Sequence, residues 1–344
     1  MKEQKNKNRI SLLKKLFVKI CRIFGYEIID QSNFYIPTQE KEINENLNIQ
    51  GKKSITLPLG ETKITRKVNS LSVIFRSCTD VNMLTQNKER LFGENKSEYT
   101  FRSLNSIIVS LNQAKINSPE VKFEIVVIDY NSKKRDLDQI YKQLIKSNIK
   151  NSVISLDINE FTNKINKINA KNENVTKNQI SNMCNIKKSL QIAKDQCDDL
   201  IYFVEDDYIH EKNAITEMIF TYERISSQLK NELILCPSDY PYLYTKIEST
   251  NIILGANKHW RKIDESLCTF LTSKILLKKH WAKFLSMCEF EHYPFEQPLH
   301  DIYKSEFCLS PIPSLAMHCT NINSIFGLSP NINWKKIWDE NKNY

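Results

Sequence analysis

Short unbroken apolar runs alternate with helical patterns over residues 71–204. LSVIF at 71–75, KFEIVVID at 122–129, SVISL at 152–156 and DLIYFV at 199–204 read as buried strands, and the stretches 98–115, 133–147 and 185–194 carry apolar residues at helical spacing. Strands that are apolar on both faces and separated by helices need crossover connections, so this region predicts a mostly parallel sheet with helices on both sides. Farther on, ELILC at 232–236, TNIIL at 250–254 and LCTFL at 267–271 predict shorter strands, with helices over 212–228 and 273–287. Their irregular spacing predicts a mixed or antiparallel extension that carries a second substrate.

The pattern differs before residue 70. In the segment 11–24, Leu12, Leu13, Leu16, Phe17, Ile20 and Phe24 recur at helical spacing, with Lys14, Lys15, Lys19 and Arg22 on or beside the other face. Such a basic amphipathic helix suits an anionic membrane surface, where apolar insertion and Lys/Arg attraction add, or docking against the body with its lysines solvated. Residues 26–69 have no sustained periodicity and contain Pro37, Gly51, Pro58 and Gly60, which predicts a connector with a short strand or two. The chain thus divides into a helical segment 1–25, a connector 26–69, a domain 70–328 and a C-terminal tail 329–344.

Composition narrows the function. With 344 residues and 41% hydrophobic content, the chain can bury a sizeable core. Six glycines exclude a glycine-rich phosphate cradle, so a nucleotide must be gripped in another way. The net charge of +9 resembles a nucleic-acid binder's, but residues 1–22 supply +7 of it and leave a nearly neutral body, which argues against nucleic acid as a partner. No run is long and apolar enough to span a bilayer, and the nine cysteines form no CxxC pair. These features predict a cytoplasmic protein in a reducing environment, peripheral to the membrane if the first helix binds one.

Candidate chemistry gathers at strand ends, where open α/β sheets bind ligands. Asp129 ends one strand and either accepts from a ribose or base, or closes its own Asx-turn. In YFVEDDYIHEKNA an apolar strand runs into Glu205, Asp206 and Asp207. Adjacent acids repel unless a cation or solvent neutralises them, which suits Mg²⁺ or Mn²⁺ and a bridged diphosphate, or else an acidic turn opening the next helix. His318 is a candidate neutral ligand near that triplet, whereas His210 is assigned to a helix start. In EFEHYPFEQPLHD, Glu296 stands at a presumed helix start, either as general base or as cap.

Together these segments resemble the GT-A fold nucleotide-sugar glycosyltransferases, broadly of the family 2 type. LSVIF is similar to the opening strand, FEIVVIDYNS to the nucleotide-edge strand, NMCNIKKSLQIAK to the helix before the metal strand, and IYFVEDD to the aspartate-rich metal motif. The resemblance covers about residues 70–328 and implies a Rossmann-like nucleotide half joined to an acceptor half. It implies that Asp129, Arg76, Asp206 and Asp239 hold the donor, a UDP-sugar in preference. Asp207, His318 and Glu205 would hold Mn²⁺ or Mg²⁺, with Glu296 as base and Asp206 orienting donor hydroxyls. Trp260, Arg261 and Tyr242 would line the acceptor side. The implied reaction moves a sugar to a hydroxyl of a glycan or lipid-linked acceptor, as in polysaccharide biosynthesis. Two alternatives remain: a nucleotidyltransferase, against which FRSCTD offers Arg76 as its sole basic residue, and a noncatalytic carbohydrate-binding or scaffold protein.

Overall fold

The computed structural model describes residues 12–26, 28, 54–57, 60–80, 90–245, 249–342 and 344. Its strands are β1 (Ser54–Leu57), β2 (Gly60–Lys63), β3 (Ser70–Ser77), β4 (Lys122–Asp129), β5 (Lys150–Ser155), β6 (Leu200–Glu205), β7 (Tyr208–His210), β8 (Leu233–Leu235), β9 (Ile252–Leu254), β10 (His259–Lys262), β11 (Phe270–Ser273), β12 (Phe307–Ile312) and β13 (Ala316–His318). The helices are α1 (Leu12–Ile23), α2 (Lys96–Asn117), α3 (Lys134–Lys146), α4 (Lys177–Gln196), α5 (Ala214–Leu229), α6 (Lys274–Lys279), α7 (Trp281–Glu289), α8 (Gln297–Tyr303) and α9 (Trp334–Glu340).

Nine strands form one sheet in the order β5-β4-β3-β6-β11-β8-β12-β10-β9. Its first four strands are parallel neighbours; β3, β4 and β6 carry the unbroken apolar runs that burial on both faces favours, whereas β5, at the sheet edge, is largely exposed. Beyond β6 the sheet is mixed: β11 is antiparallel to β6, β8 is parallel to β12, and β10 is antiparallel to β12 and β9. The protein therefore has the expected α/β architecture, a largely parallel sheet flanked by helices with a mixed extension, consistent with a GT-A or Rossmann-like arrangement.

Period-two side-chain alternation explains why both strand faces are apolar. Val73, Phe75, Ile125 and Val127 pack with α2, α3 and α5 on one face, whereas Ile74, Val126 and Ile128 pack with α4, α7 and α8 on the other. From β3 the chain steps outward to β4 and β5, then returns through α4 on the opposite face to β6, which lies on the other side of β3. The order reverses between β3 and β6, so their carboxyl ends splay apart into a crevice.

Several sequence boundaries move. The strand expected over 267–271 begins at Phe270, which leaves Leu267 and Cys268 in the loop before it. The helix expected over 273–287 breaks at His280 into α6 and α7. The segment after residue 328 contributes α9, whose Trp338 stacks on Phe92 and packs beside Tyr99.

Candidate active site

Register places Arg76 of β3 directly beside Glu205 of β6. The Arg76 guanidinium pairs with Glu205 Oε1 at 2.9 Å and donates to Asn182 Oδ1 at 2.9 Å. Asp206, the next residue, accepts from Thr100 Oγ1 at 2.9 Å and the Cys78 amide at 3.1 Å, and forms an ion pair with Lys96 from the first turn of α2. Asp207 faces His318, with Nε2 3.4 Å from Oδ2. Each acid of the triplet thus has its own protein cation, which answers the repulsion inferred from sequence.

His318 reaches this place because β7 follows the triplet and pairs with β13, setting His318 opposite Tyr208. Its Nδ1–H donates to the Phe326 carbonyl at 2.9 Å, which turns Nε2 toward Asp207, and its ring stacks on Tyr208 at 4.7 Å between centroids. Burial opposes ionisation of Asp207, but the charge and hydrogen bond of His318, with Lys96 behind, hold its carboxyl well below the usual range. Burial likewise opposes the imidazolium, and Asp207 outweighs it, raising the His318 pKa.

The triplet does not open a helix, because β7 intervenes and α5 starts only at Ala214. His210, expected at a helix start, instead ends β7 and is buried between Tyr202 and Ser106. Burial lowers its pKa to about 3.

A cavity of about 370 Å³ opens at this switch point, lined by the ends of β3 and β6, the start of α4 and the loop before α8. Arg76, Glu205, Asp206, Asp207, His318 and Glu296 all reach it, so most of the sequence candidates converge on one space. Lys96 and Arg90 also line it and were missed, since nothing in the local patterns around them signals a ligand, and Glu291, a carboxylate of the same EFEHYPFEQPLHD segment as Glu296, lines it too. Asp129 is buried one residue before Tyr130, which lines the cavity, and its carboxylate accepts from Ser77 Oγ at 2.6 Å, Ser132 Oγ at 2.6 Å and the Ser132 amide at 3.2 Å. This is the Asx-type closure weighed against a nucleotide contact, and burial raises its pKa despite those donors.

The remaining candidates lie outside the cavity lining. Asp239 is buried in an ion pair with Arg261 and accepts from Tyr244 Oη, while the Arg261 guanidinium lies 4.5 Å from the Tyr244 ring centroid. Trp260 is fully buried, its Nε1–H donating to Glu217 Oε1 at 3.2 Å, so neither ring face meets solvent. Tyr242 donates to the Glu265 carbonyl at 2.7 Å. These contacts explain the side chains as internal links of the extension.

Among the described residues, no group of three or more His, Cys, Asp or Glu side chains is arranged to hold a metal ion. Arg76 and Lys96 draw Glu205 and Asp206 away, leaving Asp207 and His318 as a two-donor pair. A carboxylate and an imidazole 3.4 Å apart can share an ion with bonds of about 2.1 Å, and Mg²⁺ commonly takes few protein ligands and completes its shell with phosphates. The pair therefore fits a divalent ion only as a half-site.

No protein-family model matches the sequence, and no curated protein matches it. Among solved structures, the inositol-1-phosphate CTP transferase from T. maritima is similar at 11% identity and a TM-score of 0.38, over 81% of this chain and 98% of that one. UTP-bound UGPase from Acinetobacter baumannii is similar at 8% identity and a TM-score of 0.37, over 73% and 88% of the two chains. Mouse xyloside xylosyltransferase 1 is similar at 12% identity and a TM-score of 0.35, over 68% and 76%. At these scores the likeness is to the broad α/β arrangement, and it assigns no chemistry.

Proposed function

We propose that the chain is an enzyme of nucleotide-sugar chemistry that binds a nucleoside-diphosphate sugar in the switch-point cavity and transfers the sugar to a hydroxyl of a glycan or lipid-linked acceptor. The observation that carries this reading is the convergence of Arg76, Arg90 and Lys96 with the Asp207–His318 pair in one cavity at the ends of two parallel strands. Arg90 has no carboxylate partner within ion-pair distance among the described residues, so its guanidinium is available to a phosphate, which it matches in charge and shape. Asp207 and His318 would hold Mg²⁺ or Mn²⁺; what such an ion supplies is neutralisation of charge on the diphosphate. Asp206, locked by Lys96, Thr100 and Cys78, holds the basic wall in place. Glu296, beside α8, is the candidate to take the acceptor proton.

Nucleotidyl transfer is the second reading, and a specific observation favours it. Arg76 stands alone in its sequence segment, but Arg90 and Lys96 join it on the cavity wall, and with Arg76 paired to Glu205 and Lys96 to Asp206 it is Arg90 that would meet a triphosphate. The two readings separate on product. The full chain with Mn²⁺ and a panel of nucleoside-diphosphate sugars should release nucleoside diphosphate. Release of pyrophosphate from nucleoside triphosphate plus sugar 1-phosphate would replace sugar transfer with nucleotidyl transfer, and inactivity in both assays would overturn the enzyme reading.

A membrane-proximal acceptor accords with α1. Leu13, Leu16, Phe17, Ile20, Ile23 and Phe24 are all exposed, although no helix among the described residues is long and apolar enough to cross a membrane. An anionic bilayer surface would cover that face and attract the neighbouring Lys15, Lys19 and Arg22.

A further inference from the structure

The loop between α7 and α8 brings a second carboxylate, Glu291, to the cavity. Gln179 at the start of α4 is fixed by a capping box: its Oε1 accepts from the Thr176 amide at 2.8 Å and Thr176 Oγ1 at 2.6 Å, and its own amide donates to Thr176 Oγ1 at 3.3 Å. With its oxygen committed to the cap, its Nε2–H₂ donates to Glu291 Oε1. The Glu291 backbone is tied as well, its carbonyl accepting from the Ala170 amide at 3.2 Å. Glu291 Oε2, however, is buried and has no hydrogen-bond partner among the described residues. A buried carboxylate oxygen left without a donor is costly, and a ligand hydroxyl seated at the cavity would supply one.

The surroundings define that ligand. Asn178 and Asn182 of α4 line the same wall, with Asn182 Oδ1 accepting from Arg76, itself paired with Glu205, whereas Lys96 and Arg90 come from the first turn of α2 and the residues before it. Glu296 adds a further carboxylate from the same loop as Glu291. Two carboxylates repel an anionic group and accept from hydroxyls. Building on the nucleotide-sugar reading, we infer that Glu291 is a specificity-determining residue that accepts a hydroxyl of an uncharged sugar and rejects sugars bearing a carboxylate.

The test compares affinities of the full chain, by calorimetry, for UDP and GDP, for their hexose derivatives, and for UDP-glucuronate. Wild-type protein should bind a nucleoside-diphosphate hexose about tenfold or more tighter than the free diphosphate, the gain expected of one hydrogen bond to a charged acceptor, and should bind UDP-glucuronate no better than UDP. Glu291→Gln should keep diphosphate affinity while losing most of the hexose gain. Gln179→Glu retains a capping residue but sets a like charge against Glu291, and should lose the same gain even if the first variant fails to fold. An unchanged hexose gain in a folded variant, or preference for the uronate, overturns the role of Glu291 while leaving the nucleotide-sugar reading intact. Failure of wild-type protein to bind any nucleoside diphosphate or its sugar overturns that reading and this inference with it.

Discussion

Removing the Asp206 carboxylate would take from the buried Lys96 ammonium its hydrogen-bonded partner and leave it only the Coulombic pull of Asp207, a loss that costs up to about 3–5 kcal/mol. Asp206→Ala should therefore unfold at distinctly lower urea, and the pair Asp206→Leu with Lys96→Met should recover much of the loss; equal instability of single and double variants would refute the electrostatic cause. Asp207→Asn keeps the side chain's shape and should leave stability nearer to wild type while lowering turnover about 100-fold or more. Those outcomes would separate the adjacent acids into a brace and a ligand, a distinction hidden in the string EDD. The triplet itself was legible because a clean apolar strand delivers it to the carboxyl end of the parallel strands. Its neutralisation was legible only in part: His318 was expected near the triplet as a neutral ligand, whereas Lys96 comes from 110 residues away from Asp206 with no local signal. His210 adds a pH prediction at this scale. Ser106 Oγ donates to the Ser103 carbonyl, so the imidazole fits as a neutral ring that donates from Nδ1 and accepts from Tyr202 at Nε2. Its folded pKa of about 3 lies below the ordinary 6.5, so the unfolded state binds the extra proton and stability falls as pH drops from 6.5 toward 3. Urea unfolding between pH 7 and 4 should follow that slope, and His210→Asn should flatten it.

Among the elements, strands written as apolar runs were legible, the short β8, β9 and β11 included, whereas β12, interrupted by Ser310 and Pro311, and the short β7, β10 and β13 were not. β3, β4 and β6 are buried throughout or nearly so and announce themselves as apolar runs; β7, β10 and β13 span three or four residues and contain His210, His259, Arg261 or His318, so no periodicity marks them. Pairing partners far along the chain determine such strands. β7 and β13 nevertheless set the Asp207–His318 contact, so the least legible elements complete the site. The opposite holds for α1, whose pattern is plain and whose apolar face the described residues leave exposed. Full-length protein should sediment with vesicles containing about a third phosphatidylglycerol, and much less with phosphatidylcholine alone or in about 0.5 M salt. Leu16→Asp with Phe17→Asp should abolish binding without shifting the thermal unfolding of the body. Binding that survives this double substitution would remove α1 as the anchor.

At the scale of the molecule, the cavity exists because the chain reverses direction across β3. Its floor comes from two strands whose partners were foreseeable, but its walls come from the start of α2, the start of α4 and the loop before α8, segments separated by roughly 80 to 200 residues. A ligand seated there would bridge the start of α2 to the start of α4 and the loop before α8, and it would bind only the folded state. Linkage then stabilises the fold by RT ln(1 + [L]/Kd), about 2.7 kcal/mol at a hundredfold excess over Kd. For a chain of 344 residues that corresponds to a rise in Tm of roughly 4 °C. A nucleoside diphosphate should give that shift, and hydrogen exchange should slow together at Ser77–Cys78, Lys96–Thr100, Asn178–Asn185 and Glu291–Glu296, because one ligand joins all four. Protection confined to a single segment would place the nucleotide elsewhere. Loss of the shift with chelator, and its return with Mn²⁺, would assign the Asp207–His318 pair to the ion, whereas a shift indifferent to chelator would assign phosphate binding to Arg90 and Lys96 alone.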